Sequence, residues 1–367
     1  MYSKELESIK KSNRFRTREL FDDNLIDLAS NDYLGLSTNK TLFQNAYETL
    51  LKDNYHSPKA SMLVNGYSKI HKKFEDRLCE VNDFEAGVIV GSGFLANISM
   101  IEALCRKNDT LFIDEEYHAS GILATKLLKP EQVIVFNHND FKDLEKKISA
   151  NQRTGRNIIA IEGVYSMGGD LAPIEIFQIA DEKKAILIVD EAHSFGVIGD
   201  NLLGIFDYYK IKPTPYHVKM GTLGKAYGSY GAYILASKQI IDFLTNRAKP
   251  IIYSTAPSLF DTALANESLD YIIENKDLLK EKIKNNLTII KNILGLNSQS
   301  LIIPILIGDN KRVKKIQENL KQNGFLVGAI RQPTVKEAII RLIAKIDINE
   351  NDLTKVCNLL KDSNVNK

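Results

Sequence analysis

The chain has 367 residues, of which 44% are hydrophobic and 26% are charged. This length fits one large α/β domain with a smaller one beside it, and the composition excludes a disordered or fibrous protein. The 48 basic and 46 acidic residues are interleaved and give a formal charge of +2, so the charge pattern indicates neither a nucleic acid nor a membrane as a partner.

The cysteines and the amino-terminal sequence predict a cytoplasmic protein. Cys79, Cys105 and Cys357 are odd in number and form no CxxC pair, so we expect neither a disulfide framework nor a metal site. The first 20 residues, MYSKELESIKKSNRFRTREL, carry charges where a signal peptide needs an apolar stretch. The longest apolar runs, such as LIIPILI, are far shorter than the roughly 20 residues of a membrane span.

The order of patterns along the chain predicts an arm and two domains. Residues 1–40 are expected to form an amino-terminal arm, with one helix and the segment IDLASNDYLGLS crossing onto the body. Residues 41–270 are expected to form the large domain. After about residue 258 longer amphipathic helices begin, and residues 271–367 are expected to form a small carboxyl-terminal α/β domain.

Six short β-rich runs lie in the predicted large domain. They are residues 86–92, 109–115, 132–138, 157–163, 185–191 and 230–237. Stretches with helical periodicity, such as GFLANISMIEALCRK, separate most of them. Strands that are apolar on both faces and alternate with helices predict a mostly parallel sheet covered on both sides.

Polar residues follow several of these runs, at the sheet edge where parallel sheets bind ligands. The run 86–92 ends in GSGF, where free backbone N–H groups at a helix start could hold an anion such as phosphate. A plain glycine-rich turn is the alternative. His118, Glu162 and Ser166 follow two other runs and could equally be structural or turn residues.

Asp190 and Lys225 give the sharper signal. Asp190 directly follows the apolar run AILIV, so its buried carboxylate is expected to face a cationic donor. Lys225 lies in the glycine-rich segment TLGKAYGSYGA and is either a surface residue or a Schiff-base lysine with a lowered pKa. An acid for a ring nitrogen, a lysine for an aldehyde, an anion-binding turn and a histidine over a ring are the parts of a pyridoxal phosphate site.

Seven motifs occur in one order along nearly the whole chain: NDYLGLS, SGFLAN, YHAS, EGVYSMGGDLAP, VDEAHSFGVIG, GKAYGSYGA and IYSTAPS. With them the chain resembles the α-oxoamine synthases, a branch of the fold-type I pyridoxal phosphate enzymes. The resemblance implies an α/β fold with a large, mostly parallel-sheet domain that binds pyridoxal phosphate and a smaller carboxyl-terminal α/β domain. It also implies a homodimer whose active sites are built from both subunits.

The resemblance assigns roles to the motif residues. Lys225 forms the Schiff base with the cofactor and then removes the Cα proton of the amino acid, while Asp190 keeps the pyridine nitrogen protonated. His118 stacks on the ring and orients the substrate. The other implied cofactor contacts are the backbone of Gly93 and Phe94 and the hydroxyl of Thr222 to the phosphate, Ser254 and Thr255 of the neighbouring subunit to the phosphate, and Ser166 and His193 to the phenolic oxygen.

Two segments indicate which reaction of the family this is. IGDN (307–310) and VGAIRQPTV (327–335) resemble members that condense L-alanine with a pimeloyl thioester, carried by CoA or a carrier protein, in biotin synthesis. A glycine-using acyltransferase and a pyridoxal phosphate-binding relative without the condensation activity are the alternatives. A dehydrogenase is the weakest one, because GSGFLAN has too few glycines for a dinucleotide motif.

The substrate side departs from the family pattern at two places. The family has an Arg-x-Arg strand whose second arginine binds the substrate carboxylate, and here IIRLIAK has Ile343 at that position. The candidates to bind the carboxylate instead are Arg14, Arg16, Arg331 and Arg341. Thr334 is expected near the acyl substrate by analogy. In HSPKASMLVNGYS, Met62 stands where the family has an arginine, and Lys59 lies upstream.

Overall fold

The structure is a computed structural model and describes residues 1–12 and 15–365. Within these ranges the chain forms eleven strands and fourteen α-helices. The strands are β1 (Ile26–Leu28), β2 (Ala86–Val90), β3 (Thr110–Asp114), β4 (Val133–Phe136), β5 (Asn157–Glu162), β6 (Ile186–Asp190), β7 (His217–Thr222), β8 (Ala232–Ala236), β9 (Ile302–Gly308), β10 (Phe325–Ile330) and β11 (Ala338–Ile343).

The α-helices are α1 (Ser3–Lys11), α2 (Lys40–Leu51), α3 (Lys69–Asn82), α4 (Gly93–Leu104), α5 (Ala119–Thr125), α6 (Phe141–Ala150), α7 (Ile174–Glu182), α8 (Ile205–Tyr209), α9 (Lys238–Arg247), α10 (Lys249–Ile252), α11 (Leu259–Glu274), α12 (Lys276–Leu294), α13 (Asn310–Gln322) and α14 (Glu350–Val365). Short 3₁₀ turns at Leu36–Thr38 and Pro130–Gln132 and a π-helical turn at Met62–Gly66 complete the described elements.

The large sheet has seven strands in the order β2-β8-β7-β6-β5-β3-β4. Only β8 runs antiparallel to its neighbours, so the other six strands share one direction. All five residues of β6 are buried, and apolar clusters cover the sheet on both sides. This is the mostly parallel, doubly covered sheet that the continuous apolar runs predicted.

The predicted runs contain six of the seven strands of the large sheet, and β7 is the one missing from them. Its sequence, HVKMGT, places His217 and Lys219 inside the strand, which interrupts the apolar run. Lys219 is nevertheless 1% exposed, and its ammonium group donates to Asn82 Oδ1 at 2.7 Å and to the Leu203 carbonyl at 2.5 Å. Buried partners therefore allow a charged residue at a position where the sequence pattern argues against a strand.

The small sheet has the order β1-β10-β11-β9. The arm supplies its edge strand, because β1 pairs in parallel with β10 from Ile26 and Phe325 onward. The other pairings are antiparallel, α13 packs against this sheet, and α14 packs against α12 and α13. The predicted domain limits at residues 40 and 270 stay predictions. In the part of the chain described here, no helix has the length and apolar character needed to cross a bilayer.

Candidate active site

A cavity of about 240 Å³ opens at the carboxyl ends of the central strands of the large sheet. Strand register explains why distant residues meet there, since β5 places Glu162 beside Asp190 of β6, and Asp190 lies beside Met220 of β7. The predicted cofactor residues that line the cavity are Gly93, Phe94, His118, Asp190, His193, Thr222 and Lys225.

Asp190 is 3% exposed at the floor of the cavity. Its Oδ2 accepts a hydrogen bond from Asn97 Nδ2 at 2.9 Å, and its Oδ1 accepts one from the Ala192 backbone N–H at 3.0 Å. Both donors are neutral, so the expected cationic donor is not among the hydrogen bonds that the described residues give this carboxylate. A protonated ring nitrogen bound in the cavity would be a cationic hydrogen-bond donor of this kind.

Lys225 and His193 lie together beside this acid. Lys225 Nζ is 2.8 Å from His193 Nε2, and the other ring nitrogen of His193 is 2.5 Å from the Tyr33 hydroxyl. Burial lowers the pKa of Lys225 to about 8, although the Asp190 and Glu162 carboxyls oppose that shift. Burial and the Lys225 ammonium group hold the pKa of His193 well below its ordinary value, so the imidazole is neutral at pH 7.

The other end of the cavity fits a phosphate. Gly93 begins α4, a helix of 12 residues whose first backbone N–H groups have no partner within the helix. Thr222 Oγ1 is buried in the described structure without a hydrogen-bond partner. A Cβ at Gly93 would lie 2.6 Å from Thr222 Cγ2, so glycine lets the start of α4 approach Thr222 closely.

These observations together test whether pyridoxal phosphate fits. The cavity provides an acid with an unmet need for a cation, an amine of lowered pKa, and an unpartnered hydroxyl beside a helix start. Each group matches one part of that cofactor: ring nitrogen, aldehyde and phosphate. The residues present therefore fit pyridoxal phosphate.

Ser166 lies behind the cavity wall. It is 8% exposed, and its backbone N–H donates to Glu162 Oε2 at 3.1 Å. The other Glu162 oxygen, Oε1, is buried without a partner in the described structure, and burial raises the pKa of this carboxyl well above its ordinary value. The structure therefore places Ser166 next to the cavity but not among the residues that line it.

Arg341 is the candidate arginine that reaches this region. It lies on β11 and is 6% exposed, and its guanidinium donates to the Ser166 carbonyl at 2.8 Å and to Asn31 Oδ1 at 2.9 Å. Ile343, two residues on, is fully buried in the apolar core. The strand thus brings an arginine to the site from position 341, and position 343 serves packing.

The other predicted substrate residues lie elsewhere. Arg16, Arg331 and Thr334 line a separate cavity of about 300 Å³ near the cis peptide bond between Gln332 and Pro333. Arg14 lies outside the described residues.

Two further predicted segments lie away from the cavity of their own chain. Ser254 is half-buried and Thr255 is exposed, and neither lines the cavity that holds Lys225. Met62 is half-buried, and Lys59 Nζ lies 3.3 Å from the centre of the Tyr55 ring.

Sequence reasoning missed the residues that support the site. Asn97, Tyr117 and Ser120 form buried hydrogen bonds behind Asp190 and His118, while Asn31 and Tyr33 contact Arg341 and His193. The available signal for Asn97 was its place four residues after Gly93, which puts both on one face of a helix. Asn31 and Tyr33 lie in the NDYLGLS motif, which carried no assigned role.

Comparisons with known proteins agree with this geometry. The sequence matches the family model of aminotransferase class I and II over residues 23–360. The 8-amino-7-oxononanoate synthase of Helicobacter pylori (strain J99) is 48% identical, and the match covers 99% of this chain and 97% of that protein.

Solved structures show the same fold. A serine palmitoyltransferase of S. paucimobilis, solved with pyridoxal phosphate and myriocin bound, has a TM-score of 0.88 at 20% identity and covers 99% of this chain and 96% of its own. The 8-amino-7-oxononanoate synthase of Francisella tularensis has a TM-score of 0.79 at 24% identity, covering 94% of this chain and 99% of its own. The predicted fold-type I transferase fold is confirmed, and the chain belongs to the aminotransferase class I and II family and, within it, to the α-oxoamine synthases.

Proposed function

We propose that this chain catalyses the reaction of an 8-amino-7-oxononanoate synthase. It condenses L-alanine with a pimeloyl thioester, forms one carbon–carbon bond, and releases carbon dioxide and the carrier thiol in biotin synthesis. The observation that carries this proposal is the cavity in which Asp190, His193 and Lys225 meet, in a chain whose relatives include curated enzymes of that name.

Pyridoxal phosphate is the cofactor, and when bound it withdraws electrons from the amino acid so that its Cα can lose a proton and attack the thioester. Asp190 would face the ring nitrogen. Gly93, Phe94 and Thr222 would hold the phosphate, and His193 would hold the phenolic oxygen, with Ser166, which lies next to the cavity, as its second proposed partner.

Lys225 is the group that moves the Cα proton. Its burial favours the neutral amine near pH 8, and a neutral amine can accept a proton where an ammonium group cannot. His193 Nε2, 2.8 Å away, keeps the amine directed toward the cavity. His118, which lines the same cavity, would orient the amino acid.

Arg341 binds the carboxylate of alanine. Its guanidinium is held by two neutral acceptors, so its positive charge is not neutralised by these bonds and is available to an anion. Arg331, Arg16 and Arg14, with Thr334, are proposed around the acyl substrate, which is carried by CoA or by a carrier protein.

The active form is a homodimer with shared sites. Phe94 and Tyr230 line the cavity yet are 46% and 62% exposed, which is typical of an apolar rim that a second subunit covers. Ser254 and Thr255 lie away from their own cavity and reach the phosphate of the neighbouring subunit. The proposed location is the cytoplasm, because the three cysteines are free thiols.

The test is a substrate panel with the purified, cofactor-loaded protein. L-Alanine, glycine and L-serine are each combined with pimeloyl-CoA or acetyl-CoA, and thiol release, carbon dioxide and product mass are measured. We expect turnover with L-alanine and pimeloyl-CoA. Turnover only with glycine and acetyl-CoA would overturn the proposal, and growth of a biotin auxotroph that is lost with Lys225→Ala would support it.

A further inference from the structure

Asn97 lies 1% exposed on α4 and lines the cavity beside Asp190. Its side chain makes three hydrogen bonds: Oδ1 accepts from the Tyr117 hydroxyl at 2.6 Å, and Nδ2 donates to Asp190 Oδ2 at 2.9 Å and to Ser120 Oγ at 3.0 Å. An ionised carboxylate only accepts, so the amide nitrogen and not the amide oxygen must face Asp190. Both N–H bonds of the amide are therefore used, in one fixed orientation.

The hydrogen bond to Ser120 fixes a second side chain. Because Ser120 Oγ accepts from Asn97, its own proton is available to His118 Nδ1, which lies 2.7 Å away. The Ser120 backbone N–H also points at His118 Nδ1, at 3.3 Å. A backbone N–H can only donate, so this ring nitrogen is an acceptor and carries no proton.

The proton of a neutral His118 ring is therefore on Nε2, the nitrogen that Ser120 leaves unused. Burial lowers the pKa of His118, which favours the neutral ring. His118 lines the same cavity as Lys225, so its Nε2–H is a hydrogen-bond donor on the substrate side.

We infer that Asn97 is a positioning residue for the proposed reaction. One amide group orients Asp190 toward the cofactor's ring nitrogen and, through Ser120, keeps His118 as the Nε2–H tautomer. This inference rests on the proposed function for its chemistry. In this tautomer His118 donates a hydrogen bond to a carboxylate or carbonyl oxygen of the substrate, and it cannot take a proton at the atom that faces the substrate.

Two variants separate the effect of Asn97 on Asp190 from its effect on His118, and a mere packing role for Asn97 would not produce this separation. Asn97→Ala removes the donor to Asp190 and the donor to Ser120 together. Ser120→Ala removes only the connection to His118 and leaves the 2.9 Å bond between Asn97 and Asp190 in place. Ser99→Ala is the matched control, because Ser99 is a buried hydroxyl on the same helix that bonds only the Leu95 carbonyl, at 2.7 Å.

The experiment uses the cofactor-loaded protein with ¹⁵N-labelled histidine. Nitrogen NMR reports which ring nitrogen of His118 is protonated, and a spectrum of His118→Asn identifies its signals among the six histidines. The cofactor's absorbance and fluorescence report the environment of the ring nitrogen. We expect Asn97→Ala to alter both readouts and to lower kcat/KM by about 10- to 100-fold. Ser120→Ala should shift only part of the His118 population to the Nδ1–H tautomer, because the 3.3 Å backbone contact to Nδ1 remains, and should leave the cofactor spectra unchanged. Ser99→Ala should alter neither readout.

A proton on His118 Nδ1 in the unchanged protein would overturn the inference, and so would unchanged readouts in Asn97→Ala. If Asn97→Ala fails to fold, Ser120→Ala with no shift in the populations of the two His118 tautomers would by itself overturn the inference. The nitrogen NMR spectra and the cofactor spectra need no acyl substrate. A failure here is therefore distinguishable from a wrong assignment of the reaction, which the substrate panel detects.

Discussion

The two sides of the cavity are built differently. On the cofactor side, Asp190 and His193 are 3% and 5% exposed and hold hydrogen bonds from the same chain. On the side proposed for substrate and partner subunit, the lining residues Phe94 and Tyr230 are 46% and 62% exposed. The exception is Arg341, which is locked between Ser166 and Asn31.

From this difference we infer that one chain by itself fixes the charged groups around the cofactor, but does not by itself enclose the substrate. Groups that stabilise charge must be fixed before the reaction, so they lie on the ends of packed strands. Enclosure can come from a second subunit, since it needs only a surface that covers the rim. Changes on the cofactor side should therefore damage chemistry, while changes on the exposed side should damage binding or assembly.

The largest effect is expected from Lys225→Ala, because this variant removes the proposed Schiff-base amine. Activity should fall below detection, and the cofactor absorbance of a protein-bound imine should be lost. Borohydride reduction followed by mass spectrometry should find the cofactor attached to Lys225 in the wild type only. The control is Lys238→Ala, a lysine whose side chain is 72% exposed on α9, and an equal loss there would contradict the assignment.

Arg341→Lys tests whether Arg341, which two hydrogen bonds hold in place on the proposed substrate side, binds the carboxylate of L-alanine. Lysine keeps the charge but loses the planar fork that binds a carboxylate at two points, so the KM for L-alanine should rise by about 10- to 100-fold. Steady-state kinetics with fixed pimeloyl-CoA measures this value, and unchanged cofactor absorbance shows that the fold is intact. A larger rise in the KM for alanine with Arg16→Lys or Arg331→Lys would move the role to that residue.

The double variant Ser254→Ala, Thr255→Ala tests whether a second subunit completes the cofactor site. Loss of two hydroxyl donors should weaken cofactor binding by about tenfold. At a cofactor concentration that leaves the double variant largely unloaded, mixing it with Lys225→Ala should raise activity, because a mixed dimer has one site with both changes and one with neither. No recovery after subunit exchange, verified by native mass spectrometry, would contradict shared sites.

The pH dependence of cofactor uptake tests the lowered pKa of Lys225. The neutral amine attacks the aldehyde, and with a pKa of about 8 its fraction rises from about one tenth at pH 7 to about nine tenths at pH 9. The rate at which the cofactor-free protein forms its imine should therefore rise about ninefold between these pH values. Stopped-flow absorbance measures it, and a midpoint near the ordinary lysine value of 10.5 would show that burial does not lower this pKa.

The smallest effect is expected from Thr222→Ala. The buried Oγ1 of this residue has no partner in the described structure, so its proposed phosphate bond is worth about 1 kcal/mol, or about fivefold in cofactor affinity. Equilibrium dialysis with pyridoxal phosphate measures it. Thr222→Ser keeps the hydroxyl and should bind like the wild type, whereas equal weakening in both variants would point to packing by the methyl group.

The sequence was most informative where an apolar strand ends in a polar residue. Asp190 was predicted in the site from the run AILIV alone, and strand register then explains its place beside Glu162. The strand HVKMGT was not predicted, because a lysine interrupts its apolar pattern. Lys219 is buried only because it bonds Asn82 and Leu203, which are distant in sequence. Tertiary partners of this kind leave no local pattern.

The support of the site could not be predicted for the same reason. Asn97 was visible in SGFLAN, but its three hydrogen bonds depend on where β3 and β6 end relative to α4. Attention to Ile343 came from the resemblance to the family, which has an arginine at that position. The Ile343 side chain is buried in the apolar core and Arg341 bonds the Ser166 carbonyl, while the arginine that binds the substrate carboxylate stays a prediction.

The short NDYLG stretch has a consequence for engineering this chain. Tyr33 bonds His193 through its hydroxyl and accepts from the Ile346 N–H at 3.1 Å through its carbonyl, while a Cβ at Gly35 would lie 2.7 Å from Asp347. The beginning and the end of the chain therefore form one structural unit against the cofactor site. A chimera with a relative, joined near residue 270, should take residues 26–35 and 301–347 from the same parent. Otherwise the exchanged domain will no longer fit the segment that carries Tyr33, and the hydrogen bond from Tyr33 to His193 will be lost.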